Sequence, residues 1–322
     1  MKEWQIIALI IASSVFAVLC IVLLIAYLTY RIAFFSSGKK INDAYIKKIM
    51  ENHCEYKDVF EALIKNLEEC ECERVYISSR DGLRLSARYY HKRDGAPVHV
   101  LFHGYRSRAE FDMSGAAFEC MSLLHNVLLV DQRAHGDSEG HSISFGINER
   151  YDLKLWCDYA VERFGEGVKI FIWGVSMGAA TVLMSLDLDL PKNVIGAIAD
   201  CPYSSPREII MLVGRKMRMP VRAFFPLLKL GAVIFGGFRL TDESAETSIL
   251  KAKIPVLLIH GEDDNFVPCE MSRKIARSAE SRGVDLRFLT FPRAHHATSY
   301  LVDKEKYGNA VRSFVNEQIE RI

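Results

Sequence analysis

Two serines share the frame G-x-S-x-G: Ser138 in Gly136-Asp-Ser-Glu-Gly140 and Ser176 in Gly174-Val-Ser-Met-Gly178. A serine flanked by glycines suits a nucleophile on a sharp strand-to-helix turn, where larger neighbours would collide as the backbone folds back. The pattern is short, so its surroundings decide. Ser176 follows the apolar run Val168 to Trp173, which reads as a buried strand, and precedes Ala179 to Leu186, which reads as an apolar helix. Ser138 follows a polar stretch, Gln132 to Gly136, and no helical pattern opens after it. Ser176 is therefore the candidate nucleophile, and Ser138 reads as a turn or capping residue.

A serine hydroxyl attacks only with a base in hydrogen-bond reach, and that base needs an acid to orient it. Two later segments supply both types just past apolar strand-like runs. His260-Gly-Glu-Asp-Asp-Asn-Phe-Val-Pro268 carries Asp263 and Asp264, and Pro292-Arg-Ala-His-His-Ala-Thr-Ser-Tyr300 carries His295 and His296. Acyl transfer also needs donors where negative charge develops. The backbone amides of Met177, after the serine, and of Tyr105, after Leu101-Phe-His-Gly104, are the candidate oxyanion pair. Strand ends on one edge of a parallel sheet converge, which would bring these loops together.

The elements that must do this positioning begin near residue 74. Runs at 75–78 and 83–90 flank Asp81-Gly82 and read as a hairpin. Runs at 98–102, 127–130, 168–173, 194–199, 256–259 and 286–291 are short and apolar, as in strands buried on both faces. Helical patterns fall between them at 110–124, 148–163, 177–188, 268–282 and 304–321. The alternation predicts an α/β fold: a mostly parallel sheet of about eight strands flanked by helices. Residues 202–250 interrupt it. Pro220, Arg222, Pro226 and Lys229 make this stretch a poor membrane span, and a helical cap insertion over the sheet, able to line a pocket, is expected instead.

Ahead of the 74–322 domain, residues 4–30 contain no charged residue, with Trp4 at one end and Tyr27 and Tyr30 at the other. That is long enough for a transmembrane helix, with aromatic residues at both interfaces. Lys2 alone precedes it, whereas Arg31, Lys39, Lys40, Lys47 and Lys48 follow, which predicts a single-pass protein of the cell membrane with its bulk on the cytoplasmic side. Residues 31–73 read as a helical connector, with Ile46, Ile49, Met50, Phe60, Leu63, Ile64 and Leu67 forming an apolar stripe that should pack on the domain. The net charge of +1 and the absence of a basic patch give no reason to expect nucleic acid. The eight cysteines are scattered, and Cys70-x-Cys72 lacks a second ligand pair for zinc.

Taken together, Phe-His-Gly-Tyr at 102–105, Asp-Gln-Arg-Ala-His-Gly-Asp-Ser-Glu-Gly at 131–140, Gly-Val-Ser-Met-Gly at 174–178 and the two segments at 260–268 and 294–300 resemble the α/β-hydrolase superfamily. More narrowly, the chain resembles its membrane-anchored bacterial members, grouped with serine aminopeptidase-like and lysophospholipase-like hydrolases. The resemblance implies that residues 131–140 are a structural loop, that the acid is Asp264 ahead of Asp263 or Asp200, and that the base is His296 ahead of His295. The resulting expectation is a Ser176–His296–Asp264 serine hydrolase needing no metal or cofactor and acting through an acyl-enzyme. Its expected substrate is a hydrophobic or lipid-like carboxylic ester. A thioester or small amide would suit the same residues, and a non-catalytic binding protein on the hydrolase scaffold is the alternative from another class.

Overall fold

The computed structural model describes residues 2–37, 56–240 and 243–321. Ile46, Ile49, Met50, Lys39, Lys40, Lys47 and Lys48 of the connector lie outside the described residues.

Eight strands form one sheet: β1 (Glu73–Ser78), β2 (Arg84–Tyr90), β3 (Val98–Phe102), β4 (Asn126–Asp131), β5 (Ile170–Val175), β6 (Val194–Asp200), β7 (Val256–Gly261) and β8 (Leu286–Phe291). Their spatial order is β1-β2-β4-β3-β5-β6-β7-β8. The β1–β2 and β2–β4 pairs are antiparallel and all others parallel.

Nine helices matter here: α1 (Glu3–Ala33), α2 (Lys57–Glu68), α3 (Ala109–Ser122), α4 (Glu149–Phe164), α5 (Met177–Ser185), α6 (Pro206–Lys216), α7 (Val221–Ile234), α8 (Cys269–Ser281) and α9 (Lys304–Glu320).

Because side chains alternate along a strand, each central strand feeds two cores. Val100, Phe102, Leu128 and Ile172 pack with Leu153 and Trp156 of α4 and Val182 and Leu183 of α5. Leu101, Leu129, Phe171 and Trp173 pack with Met113 of α3 and Val311 and Phe314 of α9. Burial on both sides explains why β3 to β7 read as largely apolar runs. The last strand departs from that expectation. Only Phe291 of β8 is fully buried, since β8 ends the sheet and, among the described residues, no strand covers its outer edge.

Helix α2, in the second half of the connector, packs on the domain. Leu63 and Leu67 of α2 are buried in the second core, and Phe60 stacks on Phe111 of α3 with ring centroids 5.0 Å apart. The stretch 202–250 contributes the helical pair α6 and α7. Helix α1 is long and apolar enough to cross a membrane, with a mean hydropathy of 3.1 over its most apolar stretch. Its far end does not leave the domain: Ala26, Thr29 and Tyr30 are buried, and the Phe34 ring sits edge-on to Phe145 and Phe238.

Candidate active site

Ser176 occupies the single residue between β5 and α5. Its backbone has φ 56° and ψ −116°, a region that costs a non-glycine residue roughly 1–3 kcal/mol. The surroundings hold it there. Its N–H donates to the Asp200 carbonyl at 2.8 Å, and its own carbonyl accepts the Ala180 N–H at 3.0 Å. Both flanking glycines are sterically required. A Cβ on Gly174 would fall 2.2 Å from the Gly178 carbonyl carbon, and one on Gly178 would fall 2.0 Å from the Phe102 carbonyl oxygen. The G-x-S-x-G spacing is thus the condition for the first turn of α5 to press against β3 and β5.

The loops after β7 and β8 bring Asp264 and His296 to this turn. His296 Nδ1 lies 2.6 Å from Asp264 Oδ2, and its Nε2 lies 2.8 Å from Ser176 Oγ. Since an ionised carboxylate can only accept, Nδ1 carries the proton, and Nε2 is left as the acceptor facing the hydroxyl. The other Asp264 oxygen accepts the N–H groups of Phe266 and Val267, each at 2.8 Å. Burial by itself would raise the Asp264 pKa, but the His296 charge and the bonds from His260 and His296 outweigh it and hold the carboxyl well below the usual range. Burial likewise opposes protonation of His296, yet the adjacent Asp264 carboxylate prevails and the imidazole pKa is raised above 6.5.

The loop after β3 lies against the serine. A Cβ on Gly104 would be 3.4 Å from Ser176 Cβ and 2.8 Å from Asp112 Oδ2. Asp112 fixes this loop from below, accepting the Gly104 N–H at 2.7 Å and the Ser107 hydroxyl at 2.6 Å. At Arg106 the chain turns with φ 53°, and the Arg106 N–H donates to His135 Nε2 at 3.0 Å.

His135 belongs to the 131–140 segment, whose other members are equally committed to structure. Arg133 makes a two-pronged pair with buried Asp152 and also reaches Asp81 in the β1–β2 turn. Gly136, at φ 53°, has no room for a Cβ beside Asp131. Ser138 accepts the Ser86 N–H at 2.8 Å and donates to the Asp131 carbonyl, so this hydroxyl is tied to the edge of the sheet.

The remaining candidates lie near Ser176 without joining the bonded chain. Asp263 is exposed, and its carbonyl lies 2.9 Å from His295 Nδ1. Asp200 ends β6 beneath the serine, where burial lifts its pKa to about 6 and its carboxylate accepts the Tyr307 hydroxyl at 3.1 Å. Cys201, Asp264 and His296 could bring ligand atoms within 4.8 Å of one another, but a metal there would have to displace a His296 hydrogen bond.

Sequence reasoning did not single out Asp112 or His260. The latter is fully buried, with Nδ1 2.6 Å from Ser272 Oγ, and Nε2 2.8 Å from the Val267 carbonyl and 3.3 Å from Asp264. Its place in the motif at 260–268 was the available signal.

A cavity of about 250 Å³ opens at Ser176 and Met177. Ile209 and Val213 of α6 and Phe224 and Leu228 of α7 form much of its wall, so the cap does line a pocket. Thr29, Ile32 and Ala33 of α1 complete it, a contribution the uniform apolar pattern of α1 gave no means to foresee. Arg106 is the one charged residue among the described residues that line the cavity. A wider hollow of about 890 Å³ contains none of Ser176, Asp264 and His296 and is lined by Lys154, Glu162 and Lys192 among others.

Comparison with known proteins bears on the fold and the family. A family model described as serine aminopeptidase, S33, matches residues 97–243, and one described as serine hydrolase (FSH1) matches residues 209–299. The Bacillus subtilis protein YqkD is 26% identical over 279 residues, which is 86% of this chain and 88% of that protein. Lysophosphatidylserine lipase ABHD12 of Danio rerio is 26% identical over 221 residues, covering 66% of this chain and 56% of the relative, so the match spans little more than half of that protein. Among solved structures, the Pyrococcus furiosus esterase PF2001 superposes with a TM-score of 0.64 at 22% identity, over 79% of this chain and 93% of the esterase, a likeness of fold. The chain belongs to the α/β-hydrolase superfamily and is one of its serine hydrolases.

Proposed function

We propose that this protein is a membrane-tethered hydrolase of carboxylic esters bearing a hydrophobic chain, with Ser176 as nucleophile, His296 as general base and Asp264 as the acid that orients it. One observation carries the reading: a bonded chain runs from Asp264 through His296 to Ser176 at 2.6 and 2.8 Å and ends on a strained residue at the mouth of an apolar cavity. As Ser176 Oγ attacks the ester carbonyl, His296 Nε2 takes its proton, and Asp264 stabilises the imidazolium. The tetrahedral oxyanion rests on the amides of Met177 and Tyr105. The first of these is the leading N–H of α5, which has no acceptor within its own helix. Collapse expels the alcohol, which receives the proton from His296, and water then releases the acid by the same route in reverse.

The cavity favours an ester with an apolar chain. A peptidase acting at a free amine, the second reading raised by the S33 family model, needs a carboxylate to hold the ammonium, and no Asp or Glu is among the described residues lining this cavity. The lysophosphatidylserine lipase and the esterase among the similar proteins point the same way. Helix α1 serves as the anchor, and Arg31 at its end supports a cytoplasmic domain. Turnover by the full chain in detergent should rank p-nitrophenyl esters above the matching thioester and well above the p-nitroanilide. A faster anilide would overturn the ester assignment, and protease protection in intact cells tests the membrane side.

A further inference from the structure

We propose that the last turns of the membrane-spanning helix are a wall of the substrate site, so that α1 sets acyl-chain selectivity as well as tethering the enzyme. The proposal rests on the assignment of Ser176 as nucleophile, and its ligand is a single unbranched acyl chain drawn from the adjoining leaflet.

The length of α1 separates its two duties. A hydrocarbon core of ~30 Å consumes about 20 helical residues at ~1.5 Å each. Counted from Trp4, that span ends near Leu24, and side chains up to this point are mostly exposed. Burial begins at Ala26, where α1 meets the cap. A Cβ on Gly231 of α7 would fall 2.2 Å from the Ala26 carbonyl oxygen, so the two backbones are in direct contact. Thr29, Ile32 and Ala33 follow within the next turns, about 7–14 Å past the end of that core at ~1.5 Å per residue, and all three line the cavity that ends on Ser176.

The same turns are bonded to the loop beside the nucleophile. The Tyr105 hydroxyl donates to the Ala33 carbonyl at 2.8 Å, and Arg106 donates to the carbonyls of Ile32 and Phe35 at 3.0 and 2.8 Å. Those of Ile32 and Ala33 are carbonyls that the end of a helix leaves without intrahelical partners. The membrane helix is thereby fixed to the residue whose amide is assigned to the oxyanion.

The rim of the cavity is apolar and uncovered: Ile32 is 50% exposed, Met217 57% and Phe266 39%. Beside it Phe235 of the cap, 38% exposed, packs on Tyr27 of α1 with ring centroids 5.2 Å apart. A rim of this kind next to a membrane span is suited to lipid rather than water. At about 250 Å³ the cavity is below the ~300–1,000 Å³ of sites that take drug-sized ligands, which fits one narrow chain and not two.

The test uses the full chain in lipid nanodiscs with p-nitrophenyl acetate, octanoate and palmitate, comparing Ile32→Trp, Ile32→Ala and, in the lipid-exposed span, Ile10→Trp. Ile32→Trp should lower the octanoate-to-acetate ratio of kcat/KM by about tenfold or more, and Ile32→Ala should move the preference towards longer chains. Opposite shifts from two changes at one site cannot come from loss of folding. Ile10→Trp should leave the ratio unchanged. Identical chain-length profiles in all variants, with Ser176 still labelled by a fluorophosphonate, would overturn the inference alone, whereas wild-type protein that resists labelling would remove the parent assignment along with it.

Discussion

Replacing Asp264 by Asn keeps the shape of the site and reverses one hydrogen bond. The side-chain oxygen of Asn can still accept the Phe266 and Val267 N–H groups that now hold Oδ1. Its NH2 group then stands where Oδ2 does, 2.6 Å from His296 Nδ1 and 3.3 Å from His260 Nε2. A donor at that point forces Nδ1 to accept, so the imidazole proton moves to Nε2 and faces Ser176 Oγ. In that tautomer the base cannot take the hydroxyl proton. For an acid–histidine–serine relay this reversal costs about 10⁴ in kcat, or about 5.4 kcal/mol at ~1.36 kcal/mol per decade. Steady-state hydrolysis of p-nitrophenyl butyrate measures it, with circular dichroism and thermal unfolding to establish that the variant is folded. Asp263→Asn, at the exposed neighbour, should change kcat less than about twofold by the same reasoning. Activity within tenfold of wild type in folded Asp264→Asn would refute the orienting role, and a larger loss in Asp200→Asn would transfer it to β6.

The pH profile has a definite sign. His296 must be neutral to act, and its pKa is raised above 6.5 by Asp264, so kcat/KM should fall with acidification through a midpoint above that value. In Asp264→Asn the midpoint should move down. Asp112→Ala removes the acceptor that holds the Gly104 N–H and should lower kcat about a hundredfold at nearly constant KM, as the oxyanion loop drifts. It also leaves a buried donor unpaired, at a stability cost of about 1–3 kcal/mol visible in denaturant unfolding. Gly178→Ala sets a Cβ 2.0 Å from the Phe102 carbonyl oxygen and should destabilise by at least the ~1–3 kcal/mol of ordinary overpacking, whereas Gly167→Ala, with nothing within 4 Å, should be tolerated.

The central sheet and the place of the candidate site on it were legible because their signals are local. Strands buried on both faces are mostly apolar, and the elbow at Ser176 is written in five consecutive residues whose glycines answer to steric contacts. The candidate acid and base could be placed because each falls just past an apolar strand-like run. The choices of Asp264 over Asp263 and of His296 over His295 came from family resemblance, and the bonded chain is the physical counterpart of those choices. Long-range partnerships were not legible. Asp112 and His260 are buried polar groups whose meaning lies in what they touch, Gly104 in one case and Ser272, Val267 and Asp264 in the other. The last turns of α1 show no periodic pattern that distinguishes exposed Tyr27 from buried Tyr30, which packs on the domain. The exposed sides of β8 follow from its position at the sheet's edge, which periodicity does not encode.

Intact-mass analysis of the purified chain after reaction with a fluorophosphonate, followed by peptide mapping, tests the assigned nucleophile most directly. One adduct should form, on Ser176; it should vanish in Ser176→Ala and persist in Ser138→Ala. An adduct that survives in folded Ser176→Ala would contradict the assignment.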